Sequence, residues 1–176
     1  MKRIYVLDVS GLVNPPMDGE SYTTPEIIEE ISEELKKSVV KTRVKSGEVK
    51  VKKPKSRYLR IALREAKETG DLEVLSKADL SILALALELR EIDKEIIVLT
   101  DDFALQNIFI KLGIDTKPIF GKKIEKVIMW KRICPICRTE YPADYPSDFC
   151  PECGIKLTRK AFLKMSVNEL RGQSSI

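Results

Sequence analysis

Ile4-Tyr5-Val6-Leu7-Asp8 and Glu95-Ile96-Ile97-Val98-Leu99-Thr100-Asp101-Asp102 decide how this chain folds. Each is an apolar run that ends in acid. Unbroken apolar runs of four fit strands buried on both faces, as in a parallel sheet. Ligands of open parallel sheets gather outside the carboxyl ends of the strands. Asp8, followed by the Ser10 hydroxyl and Gly11, is therefore a candidate metal ligand. Its competing role is to cap the following turn, since Asp is a common N-cap. The second run delivers a hydroxyl, Thr100, and two more carboxylates to the same kind of position, again ahead of a helix, predicted from Phe103 to Leu112.

Between the two runs the helical signals dominate. Thr23-Thr24-Pro25-Glu26 is a helix start, with a threonine cap, proline in the first turn and an acidic residue behind it. Ile27, Ile28, Ile31 and Leu35 recur at helical spacing and predict one buried face. Glu30 borders that face, whereas Glu29, Glu33 and Glu34 belong to the solvent side; a solvated acidic helix is the plainer alternative. Leu75-Ser76-Lys77-Ala78-Asp79 opens a helix that is apolar almost all round from Leu80 to Leu89 and should be buried. Asp79 sits in its first turn, where capping or metal binding would each place a carboxylate. A further strand is predicted at Thr116-Lys117-Pro118-Ile119-Phe120. Strands alternating with helices predict an α/β sandwich around a parallel sheet.

Charge is distributed unevenly. The chain has a net charge of +4, yet residues 36–60 hold eleven basic residues against the single acid Glu48. Such a footprint suits a polyanion, with Lys50, Lys52, Lys53, Lys55 and Arg57 as candidate phosphate contacts. A solvated excursion is the alternative. Histidine is absent from all 176 residues. That excludes Ser-His and Cys-His nucleophile pairs and any metal site that uses imidazole. Converging carboxylates repel one another unless cations bind among them, and an all-oxygen ligand set selects Mg²⁺ or Mn²⁺. With the basic segment, this points to metal-assisted phosphodiester hydrolysis.

Cys134-Pro135-Ile136-Cys137 and Cys150-Pro151-Glu152-Cys153-Gly154 are two C-x2-C turns separated by twelve residues. Two such turns complete a tetrahedral site for one structural Zn²⁺; a disulfide pair or a rubredoxin-like iron site is the alternative. A module of this size folds reliably only with a metal or disulfide. Trp130, Tyr141 and Tyr145 among Arg132, Arg138 and Lys156 fit an RNA surface, or simply pack round the metal. The predicted organisation is a nuclease unit over residues 1–122 with the basic insert near 36–57, a ribbon over 123–160, and a tail over 161–176 with a short helix. Met1-Lys2-Arg3 leads straight into the first strand without a signal-peptide pattern, and no segment reaches the roughly 20 apolar residues of a membrane span. An intracellular, cytoplasmic protein is expected.

The order of these parts resembles a PIN-domain nuclease joined to a C-terminal zinc ribbon. The matching residues are Val6-Leu7-Asp8-Val9-Ser10, Ile28-Glu29-Glu30-Ile31, Ala78-Asp79-Leu80 and Thr100-Asp101-Asp102. The stretches 22–31, 75–79 and 100–107, with the four cysteines, are similar to the Nin-one-binding endonuclease family of ribosome biogenesis. The resemblance implies a PIN-like fold that cleaves single-stranded precursor ribosomal RNA with Mg²⁺ or Mn²⁺, within a pre-ribosomal particle, to form the 3′ end of small-subunit ribosomal RNA. It implies catalytic metal binding by Asp8, Glu30, Asp79 and Asp102, with Asp101 as a fifth candidate and Ser10 and Thr100 behind them or on phosphate. Two other functions fit the same parts: an RNA-binding assembly factor without cleavage, and a toxin-type PIN ribonuclease.

Overall fold

A computed structural model of the chain describes residues 3–92 and 95–167. The elements follow one another as β1 (Arg3–Leu7), α1 (Val9–Leu12), β2 (Gly19–Thr23), α2 (Pro25–Glu30), α3 (Glu34–Ser46), β3 (Val49–Val51), α4 (Ser56–Thr69) and α5 (Lys77–Arg90). Then come β4 (Ile96–Leu99), α6 (Phe103–Lys111), β5 (Asp115–Lys117), β6 (Lys126–Ile133), β7 (Glu140–Tyr141) and β8 (Thr158–Ser166). The first five strands form one sheet in the order β3-β2-β1-β4-β5, with every pairing parallel. The α/β expectation is borne out. Val6, Leu7, Val98 and Leu99 are fully or almost fully buried in the two central strands, as double-sided coverage by helices requires. Helix α5, buried from Ser81 to Ala86, packs on α2, α4, β1 and β4.

The strand order reverses direction between β1 and β4. Both strands end in the acidic runs that opened the sequence reading, so Asp8 and residues 100–102 sit at the switch point where open sheets bind ligands. Buried hydroxyls lock the neighbouring elements. Thr23 donates to the Leu7 carbonyl at 2.8 Å, and Thr24 lies 2.6 Å from Ser81, tying the start of α2 to α5.

Three local expectations change. The acidic helix is not continuous: it stops at Glu30, Ile31 turns extended, and α3 starts afresh at Glu34. Leu35 therefore leaves the apolar face and is 84 % exposed. The strand after α6 ends at Lys117, because Pro118 has no N–H to continue the ladder and the next three N–H groups turn to Asp101. Residues 161–166, expected in a tail with a helix, instead extend β8. Their apolar spacing fits either period, and antiparallel pairing with β6 decides it. Leu170 lies outside the described residues.

The second sheet is β7-β6-β8, with the four cysteines at one end. It rests on the first unit through Gly70, the left-handed cap of α4 (φ 76°). A Cβ at Gly70 would lie 2.8 Å from Cβ of Trp130 and 3.1 Å from that of Ala143.

Candidate active site and cysteine cluster

Asp8 caps α1: one carboxylate oxygen accepts from the Val9 N–H at 2.7 Å, while the other accepts from the Thr100 hydroxyl at 2.7 Å. Thr100, itself fully buried, accepts from the Asp102 N–H at 3.1 Å. One hydroxyl thus links the Asp8 carboxylate to the backbone of Asp102, just past the ends of adjacent strands. Asp102 caps α6 through the Leu105 N–H at 2.8 Å, and Asp79 completes a capping box with Ser76 at 2.7 and 3.1 Å. Capping and metal binding, alternatives in the sequence, are compatible in the structure. Each cap uses only part of a carboxylate's acceptor capacity.

Burial pushes the Asp8 carboxyl up to about 6, against the hydrogen bonds from Thr100 and Val9, and the nearby Asp79 and Asp102 carboxylates push it the same way. Asp79 and Asp102 are therefore each within electrostatic reach of Asp8. Their oxygens do not form a tight cage. Among the described residues, the one set of metal-ligating atoms all within 4.8 Å of one another is the four cysteines. An open carboxylate set fits Mg²⁺ or Mn²⁺, which keep several waters and take few protein oxygens.

The other candidates are placed differently. Glu30 ends α2 and is exposed, without a partner among the described residues. One turn earlier, Glu26 carries a buried oxygen that accepts no hydrogen bond. Asp101, the fifth candidate, faces a loop and not the other carboxylates' partners. It accepts from the N–H groups of Ile119, Phe120 and Gly121 at 2.9, 3.1 and 2.8 Å. Burial alone would raise its carboxyl, but these donors, with the Ser10 hydroxyl, outweigh it and hold it below the ordinary range. Asp101 is a clamp. Ser10 has a buried hydroxyl oxygen near the same strand end.

Sequence reasoning missed the rest of that clamp. Gln106 is fully buried, donates to the carbonyls of Thr100 (3.2 Å) and Lys122 (3.4 Å), and accepts from the Ile124 N–H (3.1 Å). Asn107 pairs with both backbone groups of Ile128 at 2.7 Å and donates to Asp71 at 2.7 Å. Two amides inside an otherwise apolar helix were the available signal, since buried polar groups need partners.

The basic candidates are mostly engaged. Lys50 pairs with Glu20, Lys52 and Lys55 with Glu88, and Arg57 with Glu91. The insert is an ordered helix and an edge strand; Glu33 and Glu48 pair with it locally, whereas Glu20, Glu88 and Glu91 reach it from distant parts of the chain. Arg132 bridges Glu73 and Asp148. Lys53, Arg138 and Lys156 are exposed and without ion pairs among the described residues.

Cys134, Cys137, Cys150 and Cys153 converge from two matching turns. Arg138 and Gly154, each four residues past the first cysteine of its pair, both take the left-handed conformation (φ 63° and 65°). Their N–H groups close the turns on the Cys134 and Cys150 carbonyls at 3.1 and 2.8 Å. Cys137 and Cys150 sulfurs lie 3.7 Å apart, against ~3.8 Å for thiolates of a tetrahedral Zn²⁺ and ~2 Å for a disulfide. The set fits a single four-coordinate metal ion.

Comparison with known proteins agrees. A family model described as the PIN domain of ribonuclease matches residues 5–89. Endoribonuclease Nob1 of Methanocaldococcus jannaschii is 39 % identical over 162 residues, 90 % of this chain and 78 % of that one. Endoribonuclease Nob1 of Pyrococcus abyssi is 35 % identical over 154 residues, 88 % of this chain and 91 % of that one. Ribonuclease VapC1 of Thermoplasma acidophilum is 30 % identical over 161 residues, 89 % and 77 % of the two chains. No described helix is long and apolar enough to cross a membrane. A parallel sheet with acids at its switch point, a four-cysteine module and relatives matched along both units together show that the chain belongs to the Nob1 family of PIN-domain endoribonucleases.

Proposed function

We propose that the chain hydrolyses a phosphodiester in single-stranded precursor ribosomal RNA, in the cytoplasm and within a pre-ribosomal particle, and so matures the 3′ end of small-subunit ribosomal RNA. The observation that carries this is the Asp8–Thr100–Asp102 arrangement at the β1/β4 switch point, with Asp79 in electrostatic reach. Asp8, Asp79 and Asp102 hold the catalytic metal, and Glu30 joins them from the exposed end of α2. Thr100 orients Asp8 by donating to it and Asp102 by accepting from it. When bound, Mg²⁺ or Mn²⁺ activates a water for attack and neutralises charge on the leaving oxygen. The four cysteines hold one structural Zn²⁺, and Lys53, Arg138 and Lys156 contact phosphate.

Incubation with small-subunit precursor RNA, with and without Mn²⁺, tests this when the cut ends are mapped. One Mn²⁺-dependent cut at the mature 3′ end, absent in Asp8→Asn, is expected. Tight binding without a cut would assign an assembly factor, and cleavage confined to transfer or messenger RNA a toxin-type enzyme.

A further inference from the structure

A cavity of about 360 Å³ lies between the start of α6 and the root of the ribbon, walled by Asp71, Phe103, Ile124, Ile128, Trp130 and Arg159. Phe103 follows Asp102 directly, so one wall is joined to the candidate metal site. The residue is 59 % exposed. The far wall is Trp130, with the Arg159 guanidinium 4.4 Å from its ring centroid. Arg159 is fixed by Asp71 at 2.7 Å, and Asp71 by Asn107 at 2.7 Å. Trp130 also abuts Gly70, so that wall does not swing away. Lys126 adds a cation at the margin.

We propose that this cavity receives one unpaired nucleobase of the RNA strand lying across the carboxylates, a close neighbour of the phosphate that is cut. The proposal rests on the ribonuclease reading. Aromatic side chains next to a cation are what an unstacked base seeks in single-strand recognition, whatever its sequence. A duplex keeps its bases paired and offers none to the cavity. The site would thereby select single strands beside the cut, and the phosphate register would follow from where the base lodges. A larger cavity of about 590 Å³ on the other side of the joint shares Trp130 and includes Tyr141 and Phe162. It adjoins the ribbon and not Asp102, and serves as the control.

Trp130 is the chain's single tryptophan, so its emission reports on the cavity directly. The full chain, without added Mg²⁺ or Mn²⁺, is titrated with a short single-stranded RNA while Trp130 fluorescence and the anisotropy of labelled RNA are followed. Single strands should quench Trp130, and the matching duplex should not. Phe103→Ala should weaken binding and, with Mn²⁺ added, raise KM roughly tenfold or more, Phe103→Tyr should restore both, and Phe162→Ala should leave them unchanged. Melting curves confirm folding of each variant. RNA that binds without quenching, or quenching that depends on Phe162 and not Phe103, overturns the proposal. A wild-type chain that cleaves with Mn²⁺ yet fails these tests overturns this proposal alone; one that neither binds nor cleaves RNA overturns the ribonuclease reading with it.

Discussion

Asp8 is held in a state that favours chemistry over stability. Between its ordinary value of 3.8 and about 6, the folded chain keeps a proton that the unfolded chain has released. Its contribution to stability is therefore present at low pH and lost as pH rises through 6. Asp8→Asn removes that cost and preserves the cap, since Asn caps as well as Asp. The variant should lose Mn²⁺-dependent cleavage while its metal-free melting temperature at pH 7 holds or rises by a few degrees, at about 2–4 °C per kcal/mol. Asp8→Ala should lose both, because the Val9 N–H is left without its acceptor. Early melting of Asp8→Asn with normal cleavage would make Asp8 a cap alone. Metal binding also requires the ionised form, so the apparent Mn²⁺ affinity should fall about tenfold per pH unit below 6, measured by titration calorimetry.

At the scale of elements, residues 100–107 divide their labour. Thr100 and Asp102 serve the carboxylate site, while Asp101, Gln106 and Asn107 hold the segment that leads to the ribbon. Asp101→Ala should free three N–H groups and cost about 1–3 kcal/mol. Amide exchange at residues 119–121 should accelerate while Mn²⁺ affinity stays unchanged; weakened metal binding would instead make Asp101 a ligand. The strands and buried helices were legible because apolar runs and helical spacing are local signals. The clamp was not, since its acceptors are backbone groups that only the fold brings within reach. The ion pairs of the basic segment were hidden for a related reason: Glu20, Glu88 and Glu91 are remote in sequence and adjacent in space. Lys53→Ala should accordingly lower the salt dependence of RNA binding by about 0.7 in slope, one single-strand phosphate contact. Lys52→Ala should instead destabilise the fold, because Glu88, 3 % exposed, loses a partner. Equal slopes for wild type and Lys53→Ala would remove that lysine from the interface.

Across the whole molecule, the ribbon is held by its four-cysteine cluster at one end and by the joint at the other. Among the described residues, the thiol end buries Cys134, Cys150 and Leu157 with Tyr141, Tyr145 and Cys153 packed against them, too small a core to stand without a bound ion. Removing zinc with a chelator should unfold residues 134–157, while the five-stranded sheet keeps its melting transition, resolved by hydrogen exchange. Loss of both together would mean that the two units share one cooperative core. Gly70 carries a different burden. Because its missing side chain leaves room for Trp130 and Ala143, and because Asp71 next to it holds Arg159, the two units meet through a lock whose parts lie on both. A ribbon exchanged between relatives would graft cleanly only if Gly70, Asp71 and Asn107 on one side matched Trp130 and Arg159 on the other. For chimaeras, these five residues form one unit of exchange.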